Sequence, residues 1–218
     1  MAFLSTLDRS TGLYLPVNRL LVRLHPDKIV DLASGSGESV WRCTSSLRKT
    51  GAEVTLTDKF PFAHAANRAI YHGESLDILT SQLPDADLYT MFNAFHHFDE
   101  EERTLIAKKA TKNGAAFLVI EPLRPGADVF FKVFFATFIG PFLLAPFMRP
   151  FSVKWLLLTY IFPLGMLATC WDGLASVVKS LGKNEWNELE ADLISEGKTV
   201  EHGLLPSHTA KLKYFLVK

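Results

Sequence analysis

From Pro26 to Pro122 short apolar runs alternate with stripes at helical spacing, each pair separated by a turn signal. Residues 1–27 mix apolar and polar positions and read as short helices that end at Pro26-Asp27, because proline cannot continue a helix interior. Ile29–Leu32 reads as a buried strand. Glu38–Arg48 then sets Val40, Trp41, Thr44 and Leu47 at helical spacing, with Thr44 the one polar member, and Gly51 placed for a left-handed cap. Val54–Thr57 is a second strand ending at Asp58, and Ala63–Ala69 reads as a helix. Asp87–Phe92 is a strand, Glu100–Lys112 a charged amphipathic helix stopped at Asn113-Gly114, and Ala115–Ile120 a strand running into Glu121-Pro122. This alternation predicts an α/β fold: a mostly parallel sheet with helices on both faces. Such sheets bind ligands at the carboxyl ends of their strands. Asp31, Asp58, Asn93 and Glu121 all fall there; each can serve as a turn former, but four in register predict a shared pocket.

The pattern changes after residue 126. Between Ala127 and Asp172 lie nine of the 17 phenylalanines and few charges. Residues 129–148 and 153–171 are each near the ~20 residues that cross a bilayer. Lys132 and Lys154 interrupt them, and Gly140-Pro141, Pro146 and Pro163 break them into short pieces. Two spanning helices, a hairpin lying in one leaflet, a lid over an apolar acceptor and a dimer or core face all fit the composition. The insert's place after the strand at Ala115–Ile120, at the ligand-binding edge, favours a hydrophobic lid that encloses a greasy acceptor or touches a membrane surface. Asn184–Glu196 is an amphipathic helix, and Val200–Leu205 and Leu212–Val217 are strands whose short connection requires antiparallel pairing.

Composition narrows the function classes. The 218 residues suit one domain, 1–218, with 127–172 inserted in it, and 48% hydrophobic content suits a substantial core. Lys plus Arg equal Asp plus Glu at 23 each, which gives no global field to attract nucleic acid. Cys43 and Cys170 are far apart and form no CxxC pair, as expected of reduced thiols in a cytoplasmic protein. The start, MAFLSTLDRSTGLYLP, lacks the pattern of a secretory signal. No cluster of Cys, His and acids has metal-ligand spacing, so no metal is expected.

The candidate chemistry begins at IVDLASGSGES, residues 29–39. Gly35 and Gly37 let the backbone bend and approach a ligand without Cβ interference. Asp58, about 20 residues on at the end of the next strand, is placed as the ribose-hydroxyl partner of an adenosine cofactor. A dinucleotide fingerprint would carry a third glycine, where this chain has Val40. Asp31 and Glu38 would repel a pyrophosphate but suit a ligand carrying an ammonium and a sulfonium. The charge sign therefore favours S-adenosylmethionine over a nicotinamide cofactor.

DLASGSG, the LTD after the second strand, SLDI (residues 75–78) and FNAFHHF (residues 92–98) together resemble the motif series of class I S-adenosylmethionine-dependent methyltransferases. The resemblance covers residues 29–122, with Ala33 standing where that family usually has the first glycine of its loop. It implies a Rossmann-like seven-stranded sheet with an antiparallel last strand. It also implies that Asp31 and the backbone of Ala33, Ser34, Gly35 and Gly37 hold the methionine part. Asp58, with Lys59 beside it, would bind the ribose hydroxyls. Asp77 would accept from the adenine amino group, Ile78 would pack on the ring, and Asn93 and Ala94 would lie near the transferable methyl. The stretch from Trp171 to Leu189 resembles one that follows a similar apolar insert in uncharacterised methyltransferases of this type. His96 or His97 could act as a general base, which the sequence alone does not separate, or cap the pocket. His97, Glu121, Phe131, Phe135, Trp171 and Asp172 are the acceptor-lining candidates, Asp172 serving equally well as a helix N-cap. The implied function is methyl transfer to a small, hydrophobic acceptor; the alternative is a membrane-associated S-adenosylmethionine-binding protein of the same fold without turnover.

Overall fold

The computed structural model describes residue 8 and residues 11–61, 74–147, 151, 153–207 and 211–218. The helix expected at Ala63–Ala69 lies outside the described residues. Six strands form one sheet: β1 (Lys28–Asp31), β2 (Glu53–Leu56), β3 (Leu88–Phe92), β4 (Ala116–Glu121), β5 (Val200–Pro206) and β6 (Lys211–Val217). Their spatial order is β2-β1-β3-β4-β6-β5. β1 pairs in parallel with β2 and β3, and β3 in parallel with β4, whereas β6 is antiparallel to both β4 and β5. Six strands are thus present among the described residues, one fewer than the family sheet would have.

The parallel strands are buried on both faces, which is why they read as continuous apolar runs. Alternate residues feed two cores. Val30, Met91, Phe117 and Val119 point to one face, where Ile106, Ala107 and Ala110 of α4 (Glu100–Ala110) and Trp186, Leu189 and Leu193 of α8 (Lys183–Ser195) cover them. Ile29, Leu88, Leu118 and Ile120 point to the other, packed by α1 (Val17–Leu24), α2 (Glu38–Cys43) and α3 (Ser45–Lys49). α4 opens with a reciprocal capping box between Asp99 and Glu102.

The single helix expected over Glu38–Arg48 is two short ones. The break falls at Thr44, whose hydroxyl bonds back to the Val40 carbonyl and competes with the backbone ladder. After β4 the insert forms α5 (Ala127–Leu144), α6 (Val153–Tyr160) and α7 (Leu164–Lys179). α5 continues through Pro141, and α6 and α7 meet at a bend of 82° on either side of Pro163. Cys43 and Cys170 are both buried and free.

Phe117, fully buried in β4 and edge-on to Phe95 at 6.0 Å, joins the sheet to the turn that carries the two histidines. Phe117→Ala is expected to lower stability by about 3–5 kcal/mol in urea unfolding; a loss under about 1 kcal/mol would show that this core is not packed as described.

Candidate active site

Because β1, β2, β3 and β4 run in parallel, their carboxyl ends open on one side. The loop after β1 is left-handed at alternate residues: φ is 54° at Ala33, 55° at Gly35 and 67° at Gly37. Ala33 therefore adopts the conformation a glycine would take, at the steric cost a Cβ carries there. Gly37 is required twice over, since an added Cβ would lie 2.1 Å from Leu56 Cδ1.

The loop is fastened to the end of β2. The Ser34 amide donates to the Thr57 carbonyl, and the Ser34 hydroxyl donates to the Asp31 carbonyl. The Gly35 amide donates to Asp58 Oδ2 at 2.8 Å, and Asp58 Oδ1 accepts from the Phe60 amide at 2.8 Å. A carboxylate has about four acceptor positions, so Asp58 retains capacity for hydroxyl donors. The helix after the loop is only six residues long, so its dipole adds less than the longer expected helix would.

Asp31 is completely buried. Its Oδ1 accepts from the Thr90 hydroxyl at 2.6 Å, whereas Oδ2 has no partner among the described residues. Burial pushes its pKa up to about 7, with the nearby Ser34 and Thr90 hydroxyls opposing and the Asp58 charge adding to the rise. At the end of β3, Asn93 is also left-handed (φ 51°); its amide donates to the Ile120 carbonyl, and its Oδ1 is buried without a partner among the described residues. Two side-chain acceptors are therefore shut from water at the ends of neighbouring strands. Asp77 pairs with Lys59 at 2.8 Å and accepts from the Leu79 amide, and the Lys59 bond draws its carboxyl below the usual range. Ile78, expected as a ring contact, is buried in the core with Leu76.

Glu121, expected to face an acceptor, is instead buried beneath the histidine turn. Its Oε1 accepts from the Phe95 and His96 amides at 2.9 and 3.2 Å, and Oε2 lies 3.0 Å from His96 Nδ1. That geometry makes Nδ1 a donor and leaves Nε2, also buried, without a partner among the described residues. His97 packs against His96 at 4.3 Å between ring centres, the rings tilted by 36°, and is exposed. Burial, helped by the His96 and Lys179 charges, holds its pKa below the ordinary histidine value, against the pull of Asp172 and Glu121. The shift favours the neutral imidazole.

The insert candidates are not gathered into an enclosed pocket. Phe131, Phe135 and Asp172 are exposed, and Trp171 is 78% exposed. Asp172 sits inside α7, not at its start, so the N-cap role is excluded. A cleft of about 280 Å³ lies at the opposite, amino ends of β1 and β3, lined by Arg23, His25, Asp27, Asp87 and Lys218, and contains none of the candidate residues. No group of three metal-ligating side chains occurs among the described residues.

Two residues with a role here were not anticipated. Thr90 was legible only as one polar position in an apolar strand. Arg103 donates to the Phe95 carbonyl and pairs with Glu185, bracing the histidine turn from α4, and nothing in its sequence neighbourhood marks it.

The fold built by this sheet order is shared with solved methyltransferase structures. The chain is similar to the plantazolicin methyltransferase BpumL, crystallised with an azole analogue and S-adenosylhomocysteine (14% identity, TM-score 0.58, covering all of this chain and 84% of that one). It is similar to the mitomycin 7-O-methyltransferase MmcR (17%, TM-score 0.57, 95% of this chain and 54% of that one). It is also similar to human N-acetylserotonin methyltransferase in complex with S-adenosylmethionine (17%, TM-score 0.52, 95% and 51%). The chain spans about half the length of the last two. No protein-family model and no curated protein sequence matches it.

The raised pKa of Asp31 has a sign. Between about pH 4 and pH 7 the folded chain keeps a proton that the unfolded chain releases, so burial of Asp31 erodes stability as pH rises, by up to about 1.4 kcal/mol per pH unit. Without added ligand, Asp31→Asn is expected to gain on the wild type between pH 5 and pH 8 in urea midpoints. An equal difference at the two pH values would contradict the burial.

Proposed function

We propose that the chain is an S-adenosylmethionine-dependent methyltransferase acting on a small, hydrophobic acceptor. One observation carries this: the buried, unpartnered Asp31 Oδ2 beside a left-handed loop that Asp58 holds in place. An acceptor-only wall suits a ligand with an ammonium and a sulfonium and repels a pyrophosphate, and the structural neighbours crystallised with S-adenosylmethionine or S-adenosylhomocysteine share the fold.

Asp31 takes the ammonium, and the backbone from Ala33 to Gly37, with Ser34 and Gly35, follows the methionine part. Asp58 accepts from the ribose hydroxyls with its remaining lone pairs. Asp77, oriented by Lys59, accepts from the adenine amino group, with Ile78 behind the ring and Asn93 and Ala94 on the methyl side. When bound, the cofactor supplies an electrophilic methyl on a sulfonium. His97, exposed and with its pKa lowered toward the neutral form, removes the acceptor's proton, while His96 and Glu121 fix the turn that presents it. The helices of 127–172 form the acceptor side of the site, with Phe131, Phe135, Trp171 and Asp172 closing on the acceptor when it binds. In this reading the chain works in the cytoplasm, as a single domain whose insert meets the inner face of a membrane.

Calorimetry with S-adenosylhomocysteine tests the cofactor half. The wild type is expected to bind. Asp58→Ala loses charge-assisted hydrogen bonds of about 1.5–3 kcal/mol each and should bind at least about tenfold more weakly. Equal binding by the variant, or binding of NADH in place of S-adenosylhomocysteine, would count against the assignment.

A further inference from the structure

The helical insert is built with its greasy side outward. On α5 the face toward the protein carries Val133, Thr137, Gly140 and Pro141, while Phe131, Phe135, Phe138, Ile139, Phe142 and Leu143 are exposed. A surface helix of a water-soluble protein has the reverse arrangement. The inner face is small because α7 approaches closely: a Cβ at Gly173 would lie 2.8 Å from Thr137 Cγ2 and 3.0 Å from Val133 Cγ1. At the other end of α5, the Phe142 carbonyl accepts from the Tyr160 hydroxyl of α6, and the two rings meet edge-on at 4.8 Å. α5 and α7 therefore form an antiparallel hairpin, and α6, turned 82° from α7, lies across its tip.

Charge is distributed along this hairpin. Asp128, Lys132, Asp172 and Lys179 mark its base, where Asp172 and Lys179 act on His97. From Val129 to Trp171 the sequence holds three basic residues, Lys132, Arg149 and Lys154, and no acid. Trp155, Tyr160 and Trp171 are exposed on the same unit, and such amphipathic aromatics settle at a membrane–water interface.

We propose that the tip, residues 138–147 with 153–167, inserts into the headgroup and upper acyl region of a bilayer with anionic lipids, lying in one leaflet without crossing it. The cationic, acid-free tip complements anionic headgroups at about 1 kcal/mol per basic residue, and the outward phenylalanines and leucines enter the acyl boundary. Lys132 and Lys154 reach the phosphates on their long stems. An in-plane tip accommodates α6 turned across its end, which two straight spanning helices would not. Resting on the methyltransferase reading, the same geometry sets the base of the hairpin beside His97, so an acceptor dissolved in the leaflet reaches the site along the hairpin.

Flotation of the full-length chain with vesicles tests this. The wild type should rise with phosphatidylcholine–phosphatidylglycerol vesicles, at least fivefold more than with phosphatidylcholine alone, and less at 1 M salt, where the screening length falls to about 3 Å. Leu143 and Phe147 are exposed and are not among the cofactor-binding residues, so Leu143→Asp with Phe147→Asp should abolish flotation while leaving S-adenosylhomocysteine affinity unchanged. Lys132→Glu with Lys154→Glu should remove the preference for anionic lipid. Failure to float with either vesicle overturns the proposal. So does resistance to alkaline carbonate extraction, which marks a spanning segment, or a dimer that the Leu143/Phe147 variant dissociates. Flotation without S-adenosylhomocysteine binding would leave the membrane assignment standing and remove the enzymatic one.

Discussion

The carboxyl of Asp31, shut from water at the end of β1 with one oxygen unpaired, sets the character of the site. An isolated buried carboxylate is costly, and this one responds by holding a proton near neutral pH. The position is dictated by the sheet: Asp31 is opposite Thr90 in the β1–β3 register, so the strand that provides the hydroxyl also leads into Asn93 and the histidine turn. A cationic ligand would supply the missing partner and favour the ionised form, which couples ligand binding to the charge state of the strand end.

Two further arrangements depend on the same edge. Asp58 ties the glycine loop to β2 through the Gly35 amide, so the loop is formed before any ligand arrives. Glu121 ties the turn after β3 to the end of β4 through two amides and an imidazole. The two buried or partly buried acids thus act as cross-links between neighbouring strand ends. What they leave available is His97, exposed beside His96.

Much of the sheet was legible because parallel strands buried on both faces leave unmistakable apolar runs, and because acids and glycines at their ends have few other reasons to recur in register. β1, β2, β3, β4 and the β5–β6 pair all fall within a residue or two of the expected positions. The Thr44 break was not legible, since a hydroxyl competing with the helix ladder looks the same in sequence as one facing solvent. Glu121 was misplaced, and the N-cap alternative for Asp172 failed, for a related reason: sequence marks an acid near the site but not whether it points toward a ligand, into a backbone turn or outward from a helix. The insert was the hardest segment, because a lid, a core helix and a membrane-seeking helix share one composition and differ only in which face the protein covers.

The central claim is that this strand edge transfers a methyl group to an apolar acceptor, and incubation with methyl-labelled S-adenosylmethionine and a lipid extract of the native host tests it most directly. The account predicts label in the organic phase with the wild type, and label reduced by about 10²–10⁴-fold in His97→Ala, the range a general base contributes. Absence of labelled product from a wild-type chain that binds S-adenosylhomocysteine would contradict it.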